Sequence, residues 1–145
     1  MWKILDGEEL ERLRKRLFER YGITEIPYVI VKSGKRKYRA TTKDASKIRI
    51  AQLVGIYVLK ETPFGLMFSI EGTQLFGPLA RKNVFEISSE IIEKWMHGED
   101  LEVNSRNKLE RGLVIVRSED LYLGSGLYDG QRIRNLLPKS RKVVG

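Results

Sequence analysis

The spacing of apolar residues near the start of the chain predicts an amphipathic helix. Leucines and aromatic residues recur every three or four positions over residues 10–21, and Gly22 is a typical helix stop. We therefore predict a helix over residues 7–21. Asp6 and Glu9 have the spacing of a capping pair at its beginning. The apolar side of this helix must pack against another part of the chain.

Beyond the helix, short β-rich runs separated by turn residues predict a series of strands. Runs on both sides of Ser33-Gly34-Lys35 predict one hairpin, and runs on both sides of Ser118-Glu119-Asp120 predict another. Gly77-Pro78 interrupts residues 75–80, which we interpret as a loop or a single turn. The β-rich or apolar runs are residues 28–31, 37–41, 54–60, 64–70, 82–87, 113–116 and 121–127.

A second helix is predicted after Ser88, which has the chemistry of an N-cap, and Gly98 should end it. Residues 102–110 are then interpreted as a polar loop. The predicted buried face of this helix consists of Ile91, Ile92, Trp95 and Met96.

Several short strands with a helix inserted among them predict an α+β protein built on a small barrel or closed sheet. The first helix and hairpin, residues 1–50, are small for an independent domain. We expect this lobe to pack on a mixed β-barrel formed by residues 51–145.

The composition limits the cellular compartments and the kinds of catalytic or metal site that we expect for this chain. The chain has 145 residues, 41% of them hydrophobic, and it contains no cysteine. A reducing cytoplasm suits such a chain, and no apolar stretch is long enough to span a bilayer. His97 is the single histidine, so neither a zinc site nor a catalytic triad is expected. We expect no cofactor and no membrane partner.

The formal net charge of +8 is concentrated in two blocks. Residues 32–49 hold eight basic side chains against Asp44 alone, and residues 131–145 hold five against none. If the fold brings both blocks to one face, they form a stripe that attracts a polyanion. The alternative is that these charges only keep the surface soluble.

The C-terminal stretch combines glycines with positive charge. Gly124 and Gly126 are two positions apart, so one face of a strand lacks side chains there, and a backbone, a ligand or a packed helix can approach closely. Asp129-Gly130 is a strong turn signal. The donors that follow are interleaved with apolar residues, which predicts an anchored edge that presents cations to phosphates.

These residues resemble the last part of the PUA-like domain (pseudouridine synthase and archaeosine transglycosylase) that closes many Sun-type RNA cytosine-5 methyltransferases. The similarity covers roughly residues 53–142. It is carried by Leu123-Gly124-Ser125-Gly126 and Arg134-Asn135-Leu136-Leu137-Pro138-Lys139, and upstream by residues 86–92 with Trp95 and Gly98-Glu99-Asp100-Leu101. The resemblance implies a PUA-like barrel that binds RNA. The N-terminal lobe would then resemble the pre-PUA element of stand-alone ribosome-assembly proteins.

The enzymes that carry this domain attack cytosine with cysteines and bind S-adenosylmethionine in a separate domain. A chain without cysteine lacks the thiol nucleophile, so methyl transfer by this chain alone is excluded. The sequence therefore predicts a non-catalytic protein.

The candidate RNA-binding residues lie in three groups. In the C-terminal group, Asn135 is expected on a base edge or on the protein backbone. In the first basic block, alternation places Tyr38 in the core and its cationic neighbours outside, where they bind phosphate or protect an edge strand. The third group, Arg81 and Lys82, follows the Gly77-Pro78 turn, which we expect to lie near the strand that contains Gly124 and Gly126. The candidates are Arg132, Arg134, Asn135, Lys139, Arg141 and Lys142; Lys35, Arg36, Lys37 and Arg39; and Arg81 and Lys82.

We therefore predict a non-catalytic cytoplasmic protein that binds structured RNA, ribosomal or transfer RNA, in RNA modification or ribosome biogenesis. The alternative is a protein-interaction subunit that docks on an RNA methyltransferase or a ribosome-assembly factor, with the glycine-rich strand as its docking edge. A third hypothesis, a carboxylate-based nuclease or pseudouridine-forming enzyme, has no support, because Asp44 and Asp129 are isolated in the basic blocks.

Overall fold

The computed structural model describes residues 2–41, 55–104 and 106–139. Within them three α-helices accompany two five-stranded sheets, so the predicted α+β class is observed. The helices are α1 (Gly7–Tyr21), α2 (Ile70–Phe76) and α3 (Ser89–Met96). None of these described helices is long and apolar enough to cross a membrane.

The first sheet is antiparallel throughout, and its strands follow chain order. They are β1 (Lys3–Ile4), β2 (Val29–Lys32), β3 (Lys37–Thr41), β4 (Ile56–Thr62) and β5 (Gly65–Phe68). The predicted hairpin around Ser33-Gly34-Lys35 is confirmed as β2 and β3, with Ile30 opposite Ala40.

The second sheet is mixed and has the order β6-β8-β9-β10-β7. Its strands are β6 (Val84–Glu86), β7 (Leu101–Glu102), β8 (Gly112–Ser118), β9 (Leu121–Tyr128) and β10 (Arg132–Asn135). β6 runs parallel to β8, and the other pairs are antiparallel. The predicted hairpin around residues 118–120 is confirmed as β8 and β9.

Helix α1 has the predicted bounds. Gly22 ends it with φ of 68°, a left-handed conformation that favours glycine, and its N–H donates to the Phe18 carbonyl at 2.9 Å. The predicted capping pair is wrong: the Asp6 side chain makes no capping hydrogen bond, and Glu9 pairs with Lys3 of β1 instead. Glu9 thus forms an ion pair with a residue outside the helix instead of joining Asp6 in a capping pair.

Helix α2 was not predicted, because residues 64–70 were interpreted as a β-rich or apolar run and residues 75–80 as a loop or a single turn. A Cβ at Gly72 would overlap the Val58 carbonyl oxygen, so this glycine is required where the helix lies directly against β4. Ser69 caps the helix by accepting a hydrogen bond from the Gly72 N–H at 2.9 Å. A 3-10 turn at Gly77–Leu79 continues from it, which agrees with the single turn predicted there.

Helix α3 begins after Ser88 as predicted, although the Ser88 side chain makes no capping hydrogen bond. Its predicted buried face is right for Trp95, which is fully buried, and wrong for Ile91, which is exposed. The residues interpreted as a polar loop begin with Glu102, which belongs to β7. A two-residue strand is too short to give an alternating pattern.

Two hydrophobic cores hold the elements together. The first core joins α1 to both sheets through Leu13, Leu17, Tyr21, Ile30, Val58, Phe68, Leu113 and Ile115, among others. The second core lies in the second sheet, with α3 and the start of α2, and includes Ile70, Ile87, Trp95, Val114, Val116, Ile133 and Leu137. Tyr21, buried in the first core, donates its hydroxyl to the Leu66 carbonyl at 2.7 Å, and burial raises its pKa.

The predicted boundary between residues 50 and 51 lies outside the described residues. On either side of it, β3 and β4 pair directly, with Tyr38 opposite Leu59. The first core also joins α1 to β8 across that boundary. The division into residues 1–50 and 51–145 stays a prediction.

Candidate nucleic-acid interface

Strand β10 is the central element of the candidate interface. Ile133 is fully buried in the second core, whereas Arg132 and Arg134, on either side of it, are exposed. Because side chains alternate along a strand, the two guanidinium groups project from the same face. Burial of Ile133 thus fixes the direction in which both cations point.

Strand β10 does not lie at the edge of its sheet, and the phosphate-binding edge predicted for residues 131–142 stays a prediction. β10 pairs with β9 on one side and with β7 on the other, so Glu102 lies opposite Arg132 in register. The backbone is therefore hydrogen-bonded on both sides, and only the outward side chains are available to a ligand. The acidic residue of β7 also adds a carboxylate that the sequence analysis did not place here.

The two glycines of β9 allow close approach, as predicted, and the approaching groups belong to the protein itself. A Cβ at Gly126 would overlap Cγ2 of Ile133 and would lie 3.2 Å from Cη2 of Trp95. A Cβ at Gly124 would lie 2.6 Å from Cδ2 of Leu137. Because β9 is interior and its glycine face is covered, the hypothesis that this strand is a docking edge is wrong.

Asn135 is placed on the protein backbone, the second of its two predicted locations. Its amide nitrogen donates to the Trp95 carbonyl at 2.7 Å and the Glu99 carbonyl at 3.1 Å. Its side-chain oxygen accepts the Leu137 N–H at 2.9 Å. The side chain therefore ties the end of β10 to the end of α3, and its hydrogen-bonding groups are occupied within the protein.

The turn before β10 is held by Asp129. One of its carboxylate oxygens accepts the N–H groups of Gln131 and Arg132, each at 2.9 Å. The hydrogen bonds from the Arg132 and Gln131 backbone lower the pKa of Asp129, and the positive charges of Arg134 and Arg132 lower it further. The ionised carboxylate thus orients the first residue of β10.

We expect Asp129→Asn to reduce the sensitivity of the protein to acid. A carboxylate whose pKa is lower in the folded state stabilises the fold above its unfolded-state pKa, and this contribution is lost as pH falls through the folded pKa. Asparagine can keep the two hydrogen bonds but does not titrate. Melting temperatures between about pH 5 and pH 2 should fall less steeply for the variant than for the wild type. Asp120→Asn, in the β8–β9 turn, is the control, and equal slopes for both variants would contradict this role.

Two arginines, one over this turn and one against the start of β8, were missed by the sequence analysis. The guanidinium of Arg111 lies over Gly130, with Nε 2.8 Å from the position a Cβ would occupy. The guanidinium of Arg20, in the last turn of α1, donates to the carbonyls of Leu113, Arg111 and Glu110 at 2.8–3.0 Å. The only available signal for Arg111 was its place at the start of the glycine-rich stretch. Arg20 gave no sequence signal beyond its position on an amphipathic helix.

The described part of the first basic block, residues 32–41, lies in the other sheet. Lys35, Arg36 and Lys37 are exposed at the turn between β2 and β3, and Tyr38 packs on the first core as predicted. Arg39 is half-buried: its guanidinium carbon lies 5.0 Å from the Trp2 ring centroid, and Nη1 donates to the Gly55 carbonyl at 3.3 Å. Arg39 is thus partly engaged within the protein.

The third group lies beside the C-terminal end of α1. The backbone N–H groups of Arg81 and Lys82 donate to the Tyr21 carbonyl at 2.8 and 3.2 Å. The Lys82 ammonium pairs with Glu110 at 3.3 Å. The preceding Gly-Pro turn does lie against β9, since a Cβ at Gly77 would overlap the Tyr122 ring.

The structure therefore distributes the described candidate residues over three places: β10 with the residues just after it, the β2–β3 hairpin, and the segment beside the end of α1. Lys139 is exposed just beyond β10, and Arg141 and Lys142 lie outside the described residues. A common stripe of both basic blocks stays a prediction. Across residues 2–41, 55–104 and 106–139, no group of three or more His, Cys, Asp or Glu side chains could hold a metal ion.

The architecture is that of a PUA domain protein. The structure is similar to that of a conserved PUA domain protein from Thermoplasma acidophilum, with a TM-score of 0.66 and 13% sequence identity, over 96% of this chain and 94% of that one. The predicted PUA-like fold is confirmed by this likeness.

Within this fold, residues 82–142 match the family model described as the methyltransferase RsmF PUA domain. The matched segment begins just before β6 and runs beyond β10, so it contains the whole second sheet. The resemblance stated from the sequence is confirmed there, and PUA domains generally bind RNA. No curated protein is significantly similar in sequence to the chain.

Proposed function

We propose that this chain is a non-catalytic, cytoplasmic protein that binds structured RNA, ribosomal or transfer RNA, in RNA modification or ribosome biogenesis. The observation that supports this most is the geometry of β10. Arg132 and Arg134 project from one face of a strand that is paired on both sides and anchored by the buried Ile133. Rigidly placed guanidinium groups suit phosphate oxygens, which they can contact through two parallel hydrogen bonds.

The charge balance around β10 supports the same proposal. Among the described residues, neither Arg132 nor Arg134 has a carboxylate oxygen within 4.0 Å, although Asp129 and Glu102 are their neighbours. The Asp129 carboxylate oxygen that accepts hydrogen bonds takes them from backbone N–H groups of the turn and not from either guanidinium group. Both guanidinium groups therefore keep their donors for an external anion.

The absence of cysteine supports a non-catalytic role in any modification of cytosine at carbon 5, since covalent attack by a thiolate is unavailable to this chain. In this proposal the chain recognises RNA, and a separate enzyme or assembly factor acts on it. Recognition is mostly of phosphate and sugar, because Asn135, the residue best suited to contact a base edge, is committed to the protein backbone.

We expect Arg132→Ala/Arg134→Ala to weaken binding to a structured RNA by well over tenfold, because two charge-assisted phosphate contacts are lost. The log–log dependence of affinity on salt should become shallower by about two units. Fluorescence anisotropy with a labelled transfer RNA at several salt concentrations measures both changes. The melting temperature should barely move, since both side chains are exposed.

The matched control is Arg12→Ala/Lys15→Ala, which removes two exposed cations from α1. It lowers the net charge by the same amount but leaves β10 intact, so RNA affinity should change much less. If both double variants lose affinity equally, binding depends only on net charge. If neither loses affinity, β10 is not the interface.

A further inference from the structure

Two cavities lie side by side at the C-terminal end of α1, and both are lined by Arg81 and Lys82. The first, about 500 Å³, is also lined by Phe18. The second, about 290 Å³, is also lined by Phe85 and Lys108. We call the surface formed by these five side chains the Arg81 trough. It combines one aromatic ring in each cavity with three cations.

The aromatic ring of Phe18 is available to a ligand. Leu13, Leu17 and Tyr21 form the buried side of α1, whereas Phe18 is 50% exposed. A phenyl ring with half of its surface in water gains from being covered. The flat face of a nucleobase covers such a ring irrespective of sequence.

The cations of the trough are not needed to neutralise the end of α1. Three carbonyls of its last turn accept hydrogen bonds from other groups: Phe18 from the Gly22 N–H, Tyr21 from the Arg81 and Lys82 N–H groups, and Arg20 from the Asn83 amide at 2.6 Å. The backbone of residues 81–82 is thereby fixed against the helix, while both side chains remain exposed.

Charge in the trough is predominantly positive. Lys82 pairs with Glu110, and Glu19 is the carboxylate that lines the first cavity. Neither Arg81 nor Lys108 forms an ion pair with any described residue. Two cations therefore remain free to bind an anion in a surface that also offers the exposed ring of Phe18.

We propose that the Arg81 trough binds a short unpaired RNA segment, with a base stacked on Phe18 and phosphates held by Arg81 and Lys108. This inference rests on the proposed function and extends it to a second site. The trough lies beside β6, and the sheet order β6-β8-β9-β10 places it three strands away from Arg132 and Arg134. The RNA class that suits both sites is a stem with an unpaired tail.

Three labelled RNAs test the trough: an unpaired oligouridine of about eight nucleotides, a blunt hairpin, and the same hairpin with an unpaired tail. Phe18→Ala should weaken binding of oligouridine and of the tailed hairpin by about tenfold or more, because one stacking contact is lost. Binding of the blunt hairpin should not change. Phe18→Tyr keeps the aromatic face and should restore the affinity.

Arg81→Ala/Lys108→Ala should weaken oligouridine binding and make its salt dependence shallower by about one to two log–log units. Phe64→Ala is the matched control for the aromatic ring, since Phe64 is 58% exposed and lies outside the trough. Arg12→Ala/Lys15→Ala is the control for charge. The proposal is overturned if Phe18→Ala and Phe64→Ala bind oligouridine equally, or if the wild type does not bind it.

The blunt hairpin separates this proposal from the proposed function. Arg132→Ala/Arg134→Ala should lose affinity for it while Phe18→Ala keeps it. Suppose that Arg132→Ala/Arg134→Ala binds the blunt hairpin like the wild type, while Phe18→Ala still has a lower affinity for oligouridine. The proposal of a β10 interface is then wrong, and the proposal of the trough is supported. If instead Arg132→Ala/Arg134→Ala loses affinity for the blunt hairpin and Phe18→Ala binds oligouridine like the wild type, β10 remains the interface and the trough proposal is overturned.

Discussion

Replacing Trp95 by alanine is expected to destabilise the protein by about 3–5 kcal/mol, because it leaves a large cavity in a fully buried position. The indole N–H also donates to the Leu123 carbonyl at 2.8 Å, and that partly buried carbonyl would lose its partner. The free energy of unfolding, measured by urea denaturation followed by circular dichroism, checks this expectation.

Two further variants separate packing from hydrogen bonding at this position. Trp95→Phe keeps most of the ring volume and loses the N–H, so it should cost clearly less than alanine. Trp2→Ala removes the same side chain from a 41% exposed position, where it contacts Arg39, and should cost about 1 kcal/mol or less. Equal losses for Trp95→Ala and Trp2→Ala would show that the second core does not depend on Trp95.

The parts of the fold that could be predicted from sequence are those whose pattern is local. Helix α1 has several leucines at helical spacing and a glycine stop, and both long hairpins have turn residues between β-rich runs. Helix α2 could not be predicted, because Gly72 serves a contact with β4 that exists only in the folded protein. Strand β7 has two residues, and its partner β10 is about thirty positions away in sequence.

The candidate site was predictable in composition but not in arrangement. Charge clustering identified the cations of β10, and interleaved apolar residues indicated that Ile133 would anchor them. The interior position of β10 in its sheet could not be predicted, because its second neighbour, β7, is too short to give a sequence pattern. The role of Asn135 depends on carbonyls at the end of α3, which is distant in sequence, so it was left as two alternatives. The Arg81 trough joins α1 to the segment before β6, and no local pattern reveals that contact.

Replacing Gly126 by alanine is expected to destabilise the protein by about 2–3 kcal/mol, because the added methyl group overpacks the second core. The Cβ would overlap Ile133 and would lie 3.0 Å from the Arg134 carbonyl oxygen. Relief requires β10 to move away from β9, and this displaces both Arg132 and Arg134. We therefore expect a lower free energy of unfolding and, at a temperature where the variant is folded, a severalfold loss of affinity for structured RNA.

The control for this substitution is Gly34→Ala in the β2–β3 turn, where no atom lies within 4 Å of the added Cβ. It adds the same methyl group without overpacking, so stability and RNA affinity should stay near those of the wild type. If Gly126→Ala loses stability but binds structured RNA like the wild type, the exact placement of β10 does not control binding. The two cations would then act through local charge density, and Arg132→Lys/Arg134→Lys, which keeps the charge but not the planar donor geometry, should also bind normally.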